Sequence, residues 1–169
     1  MADGGLQSDA ILPHAGNTRL LRDALGRFAT GVTVITIAGP DGPMGFTANS
    51  FASLSMDPPL VLWSPARTSQ RFPFFAAAKH FAIHVLSQAQ ATWPARFART
   101  GEGFQGLAWH SNDEGVPVLP GTLARFDCAH HAAHDGGDHL IIVGQVLRFA
   151  LEEGEPLVFS NGRYGSFSV

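Results

Sequence analysis

Residues 45–55 read GFTANSFASLS, and residues 57–69 read DPPLVLWSPARTS. In the first segment short hydroxyl and amide side chains alternate with apolar ones. It predicts a strand with many small hydrogen-bonding groups and a backbone that a flat ligand can approach closely. In the second segment the apolar run at residues 60–63 predicts a short buried strand. Both segments therefore combine a strand with polar residues that suit binding.

The loop at residues 64–69 offers groups for an anion. Thr68 or Ser69 can cap the helix-like stretch that follows, and the free N–H groups and positive end of such a helix favour negative charge. Arg67 adds a fork of donors that suits a phosphate. The same residues also fit a polar strand followed by an ordinary capped helix, so both interpretations stay open on the residues alone.

The composition favours one domain with apolar surface to cover. A chain of 169 residues is long enough for one sizeable core. Only 15% of the residues are charged and 13 are Phe, whereas charged residues make up about 25% of a typical domain. We therefore expect part of the apolar surface to meet a second copy of the chain or a ligand.

Charge and cysteine content exclude several classes of protein. A net charge of −3 with a single Lys gives no basic stripe, so nucleic acid is not an expected partner. The single cysteine, Cys128, excludes an intramolecular disulfide framework and fits a reducing compartment. No apolar run approaches the roughly eighteen residues of a membrane helix, and the N-terminus lacks a secretion signal. The expected location is the cytoplasm, with no membrane partner.

Hydrophobic periodicity predicts a mainly β domain with a few α-helices. Residues 1–18 show no periodicity and predict a disordered or extended tail, so the domain is expected to span residues 19–169. Helical spacing predicts a helix over residues 20–28, ended by Gly31. β-Branched or alternating runs predict strands at residues 32–37, 44–55, 60–63, 80–86, 119–132, 139–151 and 157–160.

The remaining segments predict short helices, tight turns and a loop. Helices are expected at residues 72–78 and, with Ser87 as a cap, through about residue 97, while residues 100–120 predict a long loop. Turns at residues 39–43 and 135–138 join strands into hairpins. Several hairpins with a few helices favour a small barrel with helical decoration.

Some motifs match known sites only in part. Residues 101–106 read GEGFQG and fit the Gly-x-Gly-x-x-Gly dinucleotide fingerprint, but that fingerprint must follow a strand and open a helix, and here it follows a helix. Histidines and acids at residues 127–139 suggest a metal site, yet adjacent histidines on a strand point to opposite faces. Cys128 is expected to be a small buried residue rather than a nucleophile. A serine hydrolase would need a Gly-x-Ser-x-Gly elbow, which the sequence lacks.

His139 stands apart from that histidine cluster. It follows a Gly-rich turn and begins the very apolar run at residues 140–143. A polar ring at the mouth of a strand beside Gly can hydrogen-bond a ligand while leaving room for a ring system. A partly exposed turn histidine is an equal alternative on the sequence alone.

Further segments, in order, carry a resemblance to a known family. They read LGRFATGVTV at residues 25–34, FAIHVL at 81–86, GDH at 137–139, GQV at 144–146, PL at 156–157 and GRYG at 162–165. Together with the segments at residues 45–69, they resemble the short-chain flavin reductase family, the flavin-binding split barrels that supply reduced flavin to two-component monooxygenases. The resemblance covers about residues 20–164, nearly the whole chain.

The resemblance implies a fold and an activity. The fold would be an FMN-binding split β-barrel, in this family a homodimer with flavin bound near the subunit interface. The activity would be an NAD(P)H-dependent flavin reductase, in which hydride passes from C4 of the nicotinamide to N5 of FMN, or of FAD. NADH or NADPH would be the substrate, and a separate monooxygenase would receive the reduced flavin. No catalytic acid or base is strictly required, because the cofactors carry the chemistry.

The resemblance also implies site residues. The histidine of the family's Gly-Asp-His motif lies by the flavin and contributes to nicotinamide binding, which assigns that role to His139. Backbone amides would meet the pyrimidine edge of the flavin, while hydroxyls and Arg67 would meet its ribityl chain and phosphate. The implied flavin-binding residues are Thr47, Ala48, Asn49, Ser50, Ser53, Ser64, Ala66, Arg67, Thr68, Ser69, Arg163 and Tyr164.

His84 departs from the family pattern, which usually has Asn at this position. If its side chain approaches the flavin phosphate, it binds the cofactor and its charge changes with pH. If it is a core residue, the exchange means little.

A second class of function also fits the sequence, namely a split-barrel protein that carries or senses flavin or haem without turnover. A metal-binding or interaction module is a third.

Overall fold

A seven-stranded antiparallel sheet holds most of the chain. The computed structural model describes residues 10–98 and 103–167. The strands in these residues are β1 (Thr30–Gly31), β2 (Thr33–Gly39), β3 (Gly42–Ala48), β4 (Ala52–Met56), β5 (Pro59–Trp63), β6 (His80–Val85), β7 (His110–Ser111), β8 (Pro117–Val118), β9 (Ala124–Gly136), β10 (His139–Leu151), β11 (Leu157–Ser160) and β12 (Arg163–Ser166). The α-helices are α1 (Thr18–Leu25), α2 (Phe72–Ala77) and α3 (Trp93–Ala98).

The order of the strands forces the sheet to roll up. The order is β3-β2-β6-β9-β10-β5-β4, so β3 and β4 lie at opposite edges. A flat sheet of this size would hold its edge strands about 29 Å apart. Residues 49–51 nevertheless join β3 directly to β4, and this link can span about 15 Å at most. The sheet is therefore a barrel with a split between its edges, which confirms the predicted split barrel. The prediction of one continuous strand over residues 44–55 was wrong, because the chain crosses the split there.

The barrel interior is an aromatic and aliphatic core. Trp63 packs edge-on against Phe75 of α2, with ring centroids 5.6 Å apart, and both side chains are buried together with Ile35, Phe81 and Ile83. Burying such side chains contributes about 1.5–3 kcal/mol each. The predicted strand over residues 60–63 and the predicted helix after residue 71 are confirmed, and both supply this core.

A second layer covers one outer face of the barrel. Alternate residues of β2 point to opposite faces, and on the outer face Val34 packs with Phe97 of α3, Phe104 and Leu119. The hydroxyl of Thr36 on the same face donates to the carbonyl of Pro117 at 2.5 Å. Both faces of β2 are therefore buried over residues 33–37, which explains why this part of the strand is β-branched throughout rather than alternately polar.

Several predicted boundaries differ from the structure. Helix α1 ends at Leu25 with Gly26 as its C-cap, earlier than predicted, and β9 begins at Ala124, later than predicted. The helix predicted after Ser87 is a 3-10 turn followed by α3. Strand β12 was missed, although the Asn-Gly turn before it is typical of hairpins: Asn161 and Gly162 have φ of 48° and 75°.

The ends of the chain add two further observations. A 3-10 turn at Ala15–Asn17 lies inside the segment predicted as a tail, and residues 1–9 are outside the described part of the chain. The division into a tail and a domain at residues 19–169 stays a prediction. Among the helices of residues 10–98 and 103–167, none has the length and apolarity needed to cross a membrane.

His84 lies in the core and not at the candidate site, which corrects its assignment as a flavin-binding residue. Its side chain is 0% exposed. Nε2 accepts from the N–H of Leu119 at 3.0 Å, so the ring proton is on Nδ1 and donates to the carbonyl of Val34 at 3.0 Å. Burial lowers the pKa of His84 to about 4. The neutral ring thus ties the outer layer to β2 and β6.

We predict that His84 makes stability fall in mild acid. The folded pKa of about 4 lies below the ordinary 6.5, so between these values the unfolded chain binds more protons and unfolding becomes easier as pH falls. From pH 7 to pH 5 the loss due to His84 is about 2 kcal/mol. In urea unfolding, the stability advantage of wild type over His84→Asn should shrink by this amount, because the other titrating groups are common to both. A constant difference across this range would contradict the prediction.

Candidate functional site

The predicted binding segments meet where the barrel is split. Ser50, in the link between the edge strands, lies against the residue that follows β5. Its Oγ accepts from the backbone N–H of Ser64 at 2.9 Å and donates to the Ser64 carbonyl at 3.3 Å. This two-way contact fixes the end of β3 beside the start of the 64–69 loop. The structure therefore brings the two segments of the first motif together.

The same loop pairs with the start of β10. Ala66 forms an antiparallel bridge with His139, and the N–H of Arg67 donates to the carbonyl of Asp138 at 2.9 Å. On the other side of the bridge, Leu140 donates to the carbonyl of Pro65 at 3.1 Å. Two motifs more than 70 residues apart in the sequence are thus neighbours in space.

A shallow pocket of about 110 Å³ lies at the end of β3, where the link that contains Ser50 begins. Tyr164 and Phe159 form an aromatic wall, with ring centroids 5.3 Å apart. The pocket is lined by Val32, Thr47, Ala48, Asn49, Phe159 and Tyr164. The Thr47 hydroxyl is engaged with α3, because it donates to the carbonyl of Pro94 at 2.8 Å, whereas Asn49 is exposed to solvent.

Arg67 contacts the turn between β9 and β10. Its Nε donates to the carbonyl of Gly137 at 3.1 Å, and its Nη2 donates to Oδ1 of Asp135 at 2.6 Å. The two side chains of this ion pair are 38% and 80% exposed. The guanidinium therefore has an acidic partner at the surface of the free protein.

His139 is half-exposed and also has an acidic neighbour. Its Nδ1 lies 2.7 Å from Oδ1 of Asp138, and this hydrogen bond lowers the pKa of the Asp138 carboxyl. Because the carboxylate engages Nδ1, a ligand would meet the ring through Nε2 or through its face. The strand-mouth position predicted for His139 is confirmed.

Other predicted site residues stand farther from this junction or in a different context. Helix α2 begins at Phe72 without a side-chain cap, so the prediction that Thr68 or Ser69 caps it was wrong, and Ser69 Oγ instead accepts from the N–H of Arg71 at 3.3 Å. A helix of six residues supplies little dipole for an anion. Ser53 is exposed on β4 and Arg163 is exposed on β12.

The partial motifs have structural explanations. Residues 101 and 102 of the glycine motif lie outside the described chain, and residues 103–106 form a turn. In residues 10–98 and 103–167, no three His, Cys, Asp or Glu side chains are grouped so that they could hold a metal ion. Cys128 is buried, as predicted, and burial raises the pKa of its thiol to about 12, which leaves it protonated at neutral pH.

Arg71 was missed by the sequence analysis. It is only 7% exposed and donates to three carbonyls: Nη1 reaches those of Gly45 at 2.5 Å and Phe97 at 2.6 Å, and Nη2 reaches that of Ala98 at 2.7 Å. Its guanidinium also lies 4.7 Å from the ring centroid of Phe46. Burial lowers its pKa. Arg71 thus binds α3 to β3, the strand that carries the pocket residues, and no local sequence pattern announces such a contact.

The groups around the pocket and in the 64–69 loop fit a flavin. An aromatic wall beside a polar strand end suits a flat ring system with amide-like edges, and hydroxyls with a guanidinium suit a ribityl phosphate. The pattern of the family described as "Flavin reductase like domain" matches residues 25–168. The chain belongs to the flavin reductase-like family. The resemblance seen in the sequence is thereby confirmed.

Relatives of this flavin reductase agree in fold and activity. It is 61% identical to the FMN reductase (NADH) SmoA of Agrobacterium fabrum, covering 94% of this chain and 91% of that protein. It is 40% identical to HsaB of Rhodococcus jostii, a reductase subunit of a flavin-dependent monooxygenase, covering 96% and 82%. The NADH:FAD oxidoreductase SgcE6 of Streptomyces globisporus, solved with NAD and FAD fragments, superposes with a TM-score of 0.86 at 36% identity, covering 94% and 98%.

We predict that loss of Arg71 destabilises the reductase strongly. Arg71→Met would leave three carbonyls without their charged donor, at a cost of about 3 kcal/mol or more in urea unfolding. Arg71→Lys should recover part of the loss, because an ammonium group can reach some of these carbonyls. Arg22→Met, on the exposed helix α1, is the matched control and should change stability by no more than about 0.5 kcal/mol. A similar small effect for Arg71→Met would contradict the assigned contacts.

Proposed function

We propose that this flavin reductase binds FMN along the split edge of the barrel and reduces it with NADH. The main support is the bridge between Ala66 and His139. It puts the 64–69 loop, proposed to bind flavin, beside the residue proposed to orient the nicotinamide. The 61% identical relative named for FMN and NADH supports this choice of cofactors over FAD and NADPH. Bound flavin supplies an N5 atom that accepts hydride from the nicotinamide.

Each segment of the chain has a separate task in this proposal. Backbone amides of residues 47–50, Ala66 and Thr68 bind the polar edge of the flavin ring, since the amides of Arg67 and Ser69 already donate within the chain. The hydroxyls of the loop bind the ribityl chain, and Arg67 binds the phosphate. Tyr164 and Arg163 border the site from the β11–β12 hairpin. Ser53 and Ser64 flank the crossing link, and Ser64 is held in place by Ser50.

His139 orients the nicotinamide and transfers no proton. Its position at the mouth of β10, together with the carboxylate on Nδ1, holds the ring in one orientation. Correct alignment of two reacting rings can supply much of the rate of a transfer step. A carrier without turnover would gain nothing from such a residue.

Homodimerisation would complete the site. A ligand pocket for a drug-sized molecule usually has about 300–1,000 Å³, whereas the pocket of one chain has about 110 Å³. Helix α1 has no buried residue and exposes Leu25 and nearby Phe28, at 67% and 79%. A second copy would cover this apolar surface and enclose the flavin.

The reduced flavin would leave the enzyme for a separate monooxygenase. Relatives named as reductase subunits of flavin-dependent monooxygenases and as a stachydrine N-demethylase reductase subunit support this role. The free, buried thiol of Cys128 suits a reducing compartment, and we place the enzyme in the cytoplasm.

Anaerobic stopped-flow reduction of FMN by NADH tests both the activity and the role of His139. Wild type should reduce FMN, and absence of reduction would exclude the proposed function. His139→Ala should bind FMN as wild type does but raise the KM for NADH, slow the reduction step, or both. His139→Asn should recover part of the rate by restoring a hydrogen-bond donor. If His139 only finishes the hairpin, the substitution will lower Tm and leave both kinetic parameters unchanged.

We predict a dimer in solution at micromolar concentration. Apolar side chains exposed on α1 should be covered by the partner, which stabilises association in proportion to the area buried. Sedimentation equilibrium with and without FMN measures the mass directly. A monomer under both conditions would remove the second copy from the site.

A further inference from the structure

The end of β9 and the turn to β10 place two carboxylates, Asp135 and Asp138, beside Arg67 and His139, the two residues assigned to ligands. Asp135 contacts Arg67 at 2.6 Å and Asp138 contacts His139 at 2.7 Å. Both acids are at least 80% exposed. A phosphate that approaches Arg67 therefore meets a guanidinium already paired with an anion, and a second negative charge nearby.

Arg67 can lose its contact with Asp135 and still keep its contact with the Gly137 carbonyl. Nε of Arg67 is held by the backbone carbonyl of Gly137, which keeps the guanidinium at the turn whether or not the carboxylate stays. The contact with Asp135 is an exposed ion pair, and such pairs shift an equilibrium by about fivefold or less. A phosphate carries more charge than a carboxylate and accepts more hydrogen bonds, so it can replace Asp135 on Nη2.

We propose that Asp135 competes with the flavin phosphate for Arg67 and thereby limits the affinity of the reductase for FMN. This inference rests on the proposed role of Arg67 in binding the phosphate. The carboxylate occupies Arg67 in the free protein, is displaced when FMN binds, and returns when reduced FMN leaves. For a reductase whose product goes to another protein, a built-in competitor favours release. Asp135 is thus a residue that sets selectivity between phosphorylated and unphosphorylated flavin.

The test compares FMN with riboflavin, which lacks the phosphate. Dissociation constants are measured by quenching of flavin fluorescence at low ionic strength. Asp135→Asn should tighten FMN about two- to fivefold, because the exposed ion pair that FMN has to displace is lost, and leave riboflavin unchanged. Because exposed charges are screened by salt, the gain should shrink at about 0.5 M salt. Asp135→Glu, which keeps the charge, should bind FMN much as wild type does.

Two further variants separate competition from a general charge effect. Asp41→Asn removes the same charge from the exposed β2–β3 turn, about 20 Å along β3 from the pocket, and should change neither affinity. Arg67→Ala should weaken FMN about ten- to a hundredfold and riboflavin little. Adding Asp135→Asn to Arg67→Ala should give little further gain, because the competed group is gone.

The measurements separate a failure of the competition by Asp135 from a failure of the proposed reduction of FMN. Unchanged or weaker FMN binding by Asp135→Asn, with an FMN-selective loss for Arg67→Ala, overturns the competition and leaves the phosphate role of Arg67 intact. Equal losses of FMN and riboflavin in Arg67→Ala would mean that Arg67 organises the turn and does not meet the phosphate, which also overturns the inference. A wild type that does not reduce FMN at all would instead contradict the proposed function. Circular dichroism of each variant shows that the fold is retained.

Discussion

The short link between Ala48 and Ala52 constrains the rest of the structure. Its three residues join strands that belong to opposite edges of a seven-stranded sheet, so the sheet has to roll until those edges approach. Ser50 then fastens the link to the residue after β5 through two hydrogen bonds. The antiparallel pairing of β5 with β10 continues beyond Trp63 and brings the 64–69 loop beside the start of β10. Strand register and the rolling of the sheet thus act together to place the segments of the site.

The sequence contains much of this fold but not its connectivity. The β-branched run of β2, the apolar run of β5 and the hairpin turn before His139 were correctly predicted, because each is a local pattern. Asn49 and Ser50 are residues that turns favour, but nothing local shows that the chain there leaves one edge of a sheet and joins the other. His84 illustrates the same limit, since a histidine between apolar residues fits a site or a core equally well.

Contacts between distant segments account for what was missed at the site. Arg71 bonds to carbonyls 26 and 27 residues away, and a carbonyl has no signature in the sequence. Phe97 packs against Gly45 so closely that a Cβ on this glycine would lie 2.3 Å from the ring. The glycine is therefore required by the helix that covers it. The phosphate role of Arg67 stays a prediction, and its pairing with Asp135 depends on the alignment of β5, β10 and β9 in the sheet, which no local pattern shows.

The strand order also bears on how the chain reaches its native state. Hairpins such as β2–β3 and β9–β10 join neighbours in the sequence, whereas Gly144 of β10 pairs with Val61 of β5 across more than 80 residues. Contacts this distant require the closure of long loops and form slowly. The segments proposed to bind flavin lie on either side of the β5–β10 pairing. A folding intermediate that contains only the local hairpins therefore has no complete site. Flavin would therefore bind the finished barrel alone and stabilise it by mass action, by an amount that rises with the logarithm of the free flavin concentration above Kd.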